Sequence, residues 1–144
     1  MSASARLPSR DGYYVLCMEK EKIKSFTDLN AWKESHRLVL KIYEVTKDFP
    51  KQETFALTSQ IRRAAISITS NIAEGFSRNS SKEKLQFYHM ALGSLTEVQN
   101  QLLVARDIGY ITKEIFQRIA ENTVTASKLI HGLMKTVKSR EENT

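Results

Sequence analysis

One cysteine, two prolines and five glycines are all that a chain of 144 residues contains of these types, and each scarcity excludes something. A lone thiol, Cys17, rules out an internal disulfide framework and any cysteine-based zinc site, and it is compatible with a reducing, cytoplasmic setting. So few chain breakers argue against many short strands with turns between them, and for a few long helices. No apolar run approaches the ~20 residues needed to span a bilayer, so no membrane partner is expected. The N-terminus has basic residues and a short apolar patch from Tyr13 to Met18, but neither a continuous apolar core nor a small-residue cleavage site, which speaks against a secretory signal.

What is present is ordinary for a globular protein: 41% apolar and 26% charged residues, in a length that fits one domain with a real core. The net charge of +6 brings a polyanionic partner into scope without demanding one.

Residues 1–24 carry no sustained periodicity and read as a tail or an N-terminal extension. Met18 opens a stretch that looks like a start of its own, so residues 1–17 read as an upstream or added segment. The domain proper is placed at 25–140, with 141–144 as a disordered C-terminus. A first helix is expected from about Thr27, as N-cap, to Asp48, stopped by Phe49-Pro50. It carries two apolar stripes: Trp32, His36, Val39 and Tyr43, and beside them Leu38, Ile42, Val45 and Phe49. Together they cover about 220° of the helix, which predicts burial on two sides.

The second helix is placed at about Gln52 to Glu74, closed by Gly75, with Leu57, Ile61, Ala65, Ile68 and Ile72 as its core stripe. Opposite lie Arg63, Ser67, Ser70 and Glu74, small and polar enough to let another helix approach closely. The third helix opens at a capping box, Ser80-x-x-Glu83, and ends near Gly109. Its core residues are Leu85, Tyr88, Leu92, Leu95 and Leu102, with Phe87, Ala91, Val98 and Ala105 widening the apolar arc. Thr112 caps a fourth helix that carries Ile115, Ile119, Ala126, Ile130, Leu133 and Val137 to about Ser139, with Lys128, Lys135, Lys138 and Arg140 on its outer face and tail. Four amphipathic helices with short connections define an all-α, antiparallel, up-down-up-down four-helix bundle. The surplus apolar arc on the first and third helices suggests oligomerisation.

Catalytic constellations are missing. A di-metal bundle needs paired Glu-x-x-His motifs, and none of His36, His89 or His131 has a Glu three residues before it. No Arg stands four to six residues upstream of any of them, as the helical toxin-type ribonucleases would require. There is no G-x-S-x-G and no phosphate-cradling glycine loop, Gly75, Gly93 and Gly109 being isolated. No enzymatic activity, cofactor or metal is therefore expected, and His36 reads as a core or interface residue.

The densest basic set is Arg62, Arg63, Arg78, Lys82 and Lys84, around the turn between the second and third helices. It is either a phosphate-contacting patch or a solvated, ion-paired surface, for example Arg63 with Glu74 of a neighbouring subunit. The stem of Arg62 could instead cover apolar surface.

The run QIRRAAISITSNIAEG, with F-T-D-L-x-A-W-K and Y-E-V-T-K-D-F-P before it and Ala91-Leu92-Gly93-Ser94-Leu95 and Ile108-Gly109-Tyr110-Ile111 after it, resembles the bacterial family of 23S rRNA intervening-sequence proteins over about residues 25–138. The resemblance implies a four-helix bundle that assembles as a ring, typically a homopentamer, with no established enzymatic activity. The chain is also similar to the accessory variability protein of diversity-generating retroelements, a basic pentameric barrel that binds a reverse transcriptase and nucleic acid. Arg62, Arg63, Asn71, Glu74 and Gly75 match the family motif and are read first as subunit-packing residues, with Ser67 and Ser70 on the same stripe. From Met18 onward the chain has 20 basic and 15 acidic residues, so five copies would carry about +25 and concentrate RNA or DNA at their surface. The expected function is thus a non-catalytic homo-oligomer that binds nucleic acid and a protein partner such as a reverse transcriptase. The alternative is an oligomeric scaffold whose charge serves solubility.

Overall fold

The computed structural model describes residues 22–142, which hold four α-helices and no strand. The reading of residues 1–17 as an added segment lies outside the described residues, as do residues 143 and 144.

The described residues open with a 3-10 turn, Phe26–Asp28. Ser25 caps it, its Oγ accepting from the Thr27 amide at 3.3 Å. The Asp28 carboxylate reaches back to accept from the amides of Lys24 at 2.9 Å and Ser25 at 3.0 Å. Those two backbone bonds, Lys24 first, hold the Asp28 pKa below its usual value. The capping signal therefore lies two residues before Thr27, and it opens the turn rather than the helix: α1 runs Asn30–Thr46. Phe49 and Pro50 follow its end as expected, Phe49 being buried with its ring 5.3 Å from that of Tyr110.

The second helix starts later than its periodicity implied. Lys51–Glu53 forms a separate 3-10 turn, and α2 runs Leu57–Ser77. Glu53 serves as a joint between elements. One carboxylate oxygen accepts from the Leu57 amide at 3.3 Å and the other from the Tyr110 hydroxyl at 2.8 Å, so the start of α2 is tied to the turn after the third helix. That bond to Glu53 raises the Tyr110 pKa by favouring the protonated phenol.

Gly75 does not close α2. It lies buried inside the last turn, where a Cβ would stand 2.6 Å from Cε1 and 2.9 Å from Cδ1 of Tyr88. Its role is close helix approach rather than chain reversal.

Helix α3, Ser81–Ile108, is capped as the sequence indicated, with Ser80 Oγ accepting from the Glu83 amide at 3.1 Å. It ends at Gly109, whose φ of 94° is the left-handed conformation, while the Tyr110 amide reaches back to the Ala105 carbonyl at 2.8 Å. Thr112 caps α4, its Oγ1 accepting from the Ile115 amide at 3.1 Å. That helix runs Lys113–Glu142, past Ser139 and into the segment read as disordered.

Each helix packs on two others, α1 on α2, α2 on α3, α3 on α4 and α4 back on α1, and among the described residues no diagonal pair comes into contact. Short connections make sequence neighbours antiparallel, so the order is up-down-up-down. Most of the core lies on the named apolar stripes, including fully buried Leu38, Ile42, Ile61, Ile68, Ile72, Tyr88, Leu95, Leu102 and Ile130. Leu29, Ala31, Ala64, Ile111 and Met134 join it from outside them, while Leu57, Leu85, Leu92, Ile115 and Leu133 are only partly buried. The wide apolar arc of α1 is accounted for within one chain, since α2 covers one flank and α4 the other. Trp32, half-buried, stacks on His36 at 4.6 Å and meets the Phe26 ring edge-on at 5.6 Å. Leu40 is the α1 apolar side chain left exposed.

Candidate nucleic-acid interface

The five basic residues singled out around the α2–α3 turn divide by what their charges already hold. Arg62 is committed to α1. Its Nε donates to Thr46 Oγ1 at 2.8 Å, its Nη2 approaches the Tyr43 carbonyl at 3.5 Å, and its guanidinium lies 4.6 Å from the Tyr43 ring centroid. Thr46 is buried in the last turn of α1, where the carbonyl ends favour a cation. Arg62 is thus a cross-strut between α2 and the C-terminus of α1.

Arg62→Met keeps the apolar stem and removes the strut. It is expected to cost about 1–3 kcal/mol of stability, the usual scale for a charged hydrogen bond to a buried partner. Denaturant titration measures this loss. A variant as stable as the parent but unable to bind RNA would return Arg62 to the ligand surface.

Lys84 is also occupied. Its ammonium donates to the carbonyls of Gly75 at 3.3 Å and Phe76 at 2.8 Å, satisfying the C-terminal end of α2 from the first turn of α3. Partial burial is the main reason its pKa falls below the usual lysine value, with the nearby Arg140 adding repulsion. Arg78 pairs with Glu74 at 3.0 Å and lies 4.8 Å over the Phe87 ring. Both partners of that exposed pair remain open to solvent, so the pair is worth little and yields readily to phosphate. Arg63 and Lys82 are exposed and make no hydrogen bond or ion pair with another described residue. Lys128, Lys135, Lys138 and Arg140 add exposed cations along the second half of α4.

The stripe read as subunit packing divides in the same manner. Ser67 faces α3, its Oγ accepting from Ser94 Oγ at 2.8 Å, and Asn71 turns back to the Ser67 carbonyl at 2.8 Å. The close approach that these small residues permit is used inside the chain. Arg63, Ser70 and Glu74 face outward, and Ile66 stands among them 42% exposed.

Apolar residues also ring α3. Beyond its core side, Met90, Val104 and Ile108 remain 51%, 39% and 55% exposed, and at helical spacing they share one stripe with Gly93 and Glu97. Leu103 is exposed on another side of α3, and Phe55, in the α1–α2 connection, is 96% exposed.

Among the described residues no three His, Cys, Asp or Glu side chains come together as a metal site would require, and no helix is long and apolar enough to cross a membrane. The fold and these surfaces define a class: a four-helix bundle whose outward features are exposed cations and exposed apolar stripes. The chain belongs to the 23S rRNA-intervening sequence protein family, whose model it matches over residues 27–132. A crystal structure of a protein of unknown function from the S23 ribosomal protein family of Bacteroides thetaiotaomicron has a TM-score of 0.68 to it. The two are 24% identical, the match covering 73% of this chain and 98% of that one, a likeness that establishes the shared fold. No curated protein matches the chain.

The sequence reading missed what the α4 tail does. Antiparallel packing folds α3 and α4 about the turn at Gly109, which brings the start of α3 beside the end of α4. Lys84 and Arg140 are thereby neighbours, a pairing the helix lengths and the turn position already contained.

Proposed function

We propose that this chain is a non-catalytic subunit of a homo-oligomer whose basic surface binds nucleic acid, RNA or DNA. The observation that carries the reading is the α3 stripe, where Met90, Val104 and Ile108 stay exposed on a helix whose other side is already core. A face of that kind favours a covering partner, and the resemblance described from sequence implies that the partner is further copies of this chain, arranged as a ring. Copies arranged in a ring repeat each exposed cation around one axis, which is how a modest net charge becomes a strong field. The apolar face also leaves room for a protein partner such as a reverse transcriptase.

The phosphate-contacting set is narrower than the sequence suggested. It comprises Arg63 and Lys82, with Arg78 on exchange of Glu74 for phosphate, whereas Arg62 and Lys84 hold the bundle together. Fluorescence anisotropy with structured RNA at several salt concentrations tests this. Arg63→Gln combined with Lys82→Gln is expected to flatten the log–log salt dependence by about 0.9 per lost contact on a duplex and about 0.7 on a single strand. No binding by the unsubstituted protein even at low salt would eliminate the reading and leave the scaffold.

A further inference from the structure

A cleft of about 690 Å³ opens at the end of the bundle where α1 begins and α4 finishes, bounded by residues of all four helices. Four cations line it, Lys22, Lys84, Lys128 and Arg140, against one acid, Asp28. The Asp28 carboxylate is already engaged by two backbone amides. None of the four cations makes an ion pair with a described residue. Lys84 spends two of its three protons on the α2 carbonyls, leaving one to donate.

The wall of the cleft is of a different character. Phe76, Leu129, Leu133 and Val137 contribute apolar surface, and Tyr88 closes it off, its side chain only 1% exposed. The Tyr88 hydroxyl makes no hydrogen bond with any described residue. Burial pushes its pKa up to about 12, so it is a standing proton donor at neutral pH. That hydroxyl is not one of the fully buried polar atoms left without a partner among the described residues, so it stays accessible to an acceptor in the cleft.

We propose that this cleft binds a small organic phosphate, that is, a phosphate monoester carried on an apolar or aromatic body. Lys84 and its neighbour Arg140 meet the anionic head, and Lys22 and Lys128 add positive potential along the cleft. The Tyr88 hydroxyl and the remaining Lys84 proton supply donors, and the apolar wall takes the body. The volume lies within the range of small-molecule sites. This site shares neither Arg63 nor Lys82 with the nucleic-acid surface, so each can fail without the other.

Calorimetric titration of the full chain at low salt tests the proposal, with adenosine 5′-monophosphate, hexyl phosphate and inorganic phosphate as probes. Saturable binding of one organic phosphate per chain is expected, at least about tenfold tighter than inorganic phosphate because the body leaves water. Arg140→Gln, at an exposed position, should weaken it about tenfold or more. Tyr88→Phe, which keeps the ring and the packing, should weaken it about three- to tenfold with little change in melting temperature. Tighter binding of the adenosine compound identifies a nucleotide source, and tighter binding of hexyl phosphate a lipid-like one; either supports the site. Failure of both to saturate at millimolar concentration overturns the proposal. So does binding indifferent to Arg140→Gln, or no advantage over inorganic phosphate.

Discussion

Gly75→Ala is expected to lower the melting temperature by roughly 6–12 °C, the result of a net loss near 2 kcal/mol in a domain of this size. The added methyl would sit 2.6 Å and 2.9 Å from two carbons of the Tyr88 ring and 3.1 Å from Cβ of Phe87. Tyr88 is 1% exposed, so moving its ring disturbs the core packing on the side away from the cleft. Forcing a methylene into such a site costs about 1–3 kcal/mol, and the upper end applies where the neighbour is rigid. Helix propensity works the other way, by up to about 1 kcal/mol. Gly132→Ala isolates that opposing effect, because nothing lies within 4 Å of a Cβ there, and it is expected to stabilise slightly. Melting followed by circular dichroism at fixed protein concentration decides the matter. If Gly75→Ala melts no lower than the parent, α2 and α3 are not in the contact described.

Light scattering should report several chains per particle, five if the ring implied by the family resemblance forms, rather than the 16.5 kDa of one chain. Met90→Glu, Val104→Glu and Ile108→Glu together are expected to reduce the particle to a single chain with unchanged helix content. All three side chains point outward, so charging them costs little in an isolated subunit. Enclosing three carboxylates in a subunit contact, by contrast, costs several kcal/mol per interface. An unsubstituted protein that scatters as one chain at tens of micromolar would remove the oligomer, and with it the summed charge of the ring.

The legible parts of the fold were those written locally. Ser80 and Thr112 cap where the sequence placed them, and Gly109 ends α3, because each acts on amides or carbonyls within a few residues of itself. Core stripes on α2, α3 and α4 followed from spacing for the same reason. What escaped depends on residues far apart in the chain. Gly75 looks like a helix terminator until Tyr88 is seen lying against it. Arg62 looks like a free charge until Thr46 is found within 2.8 Å. The start of α2 slipped from Gln52 to Leu57 because a 3-10 turn intervenes, held by a carboxylate that also binds Tyr110. In the candidate site, residue type was legible from sequence, whereas availability was not: a lysine with its ammonium on two carbonyls and a lysine in water are the same letter.

The cleft shows one thing more. Lys22 and Arg140 both line it, so the described chain arrives and departs at the same end of the bundle. The opposite end, with Phe55 and the Glu53–Tyr110 bond, is made only of internal connections. A domain or tag joined directly at residue 22 or 142 would therefore crowd the pole that holds the cations of the cleft. A fusion partner placed there competes with ligand, while a label at the Phe55 pole leaves the cleft untouched.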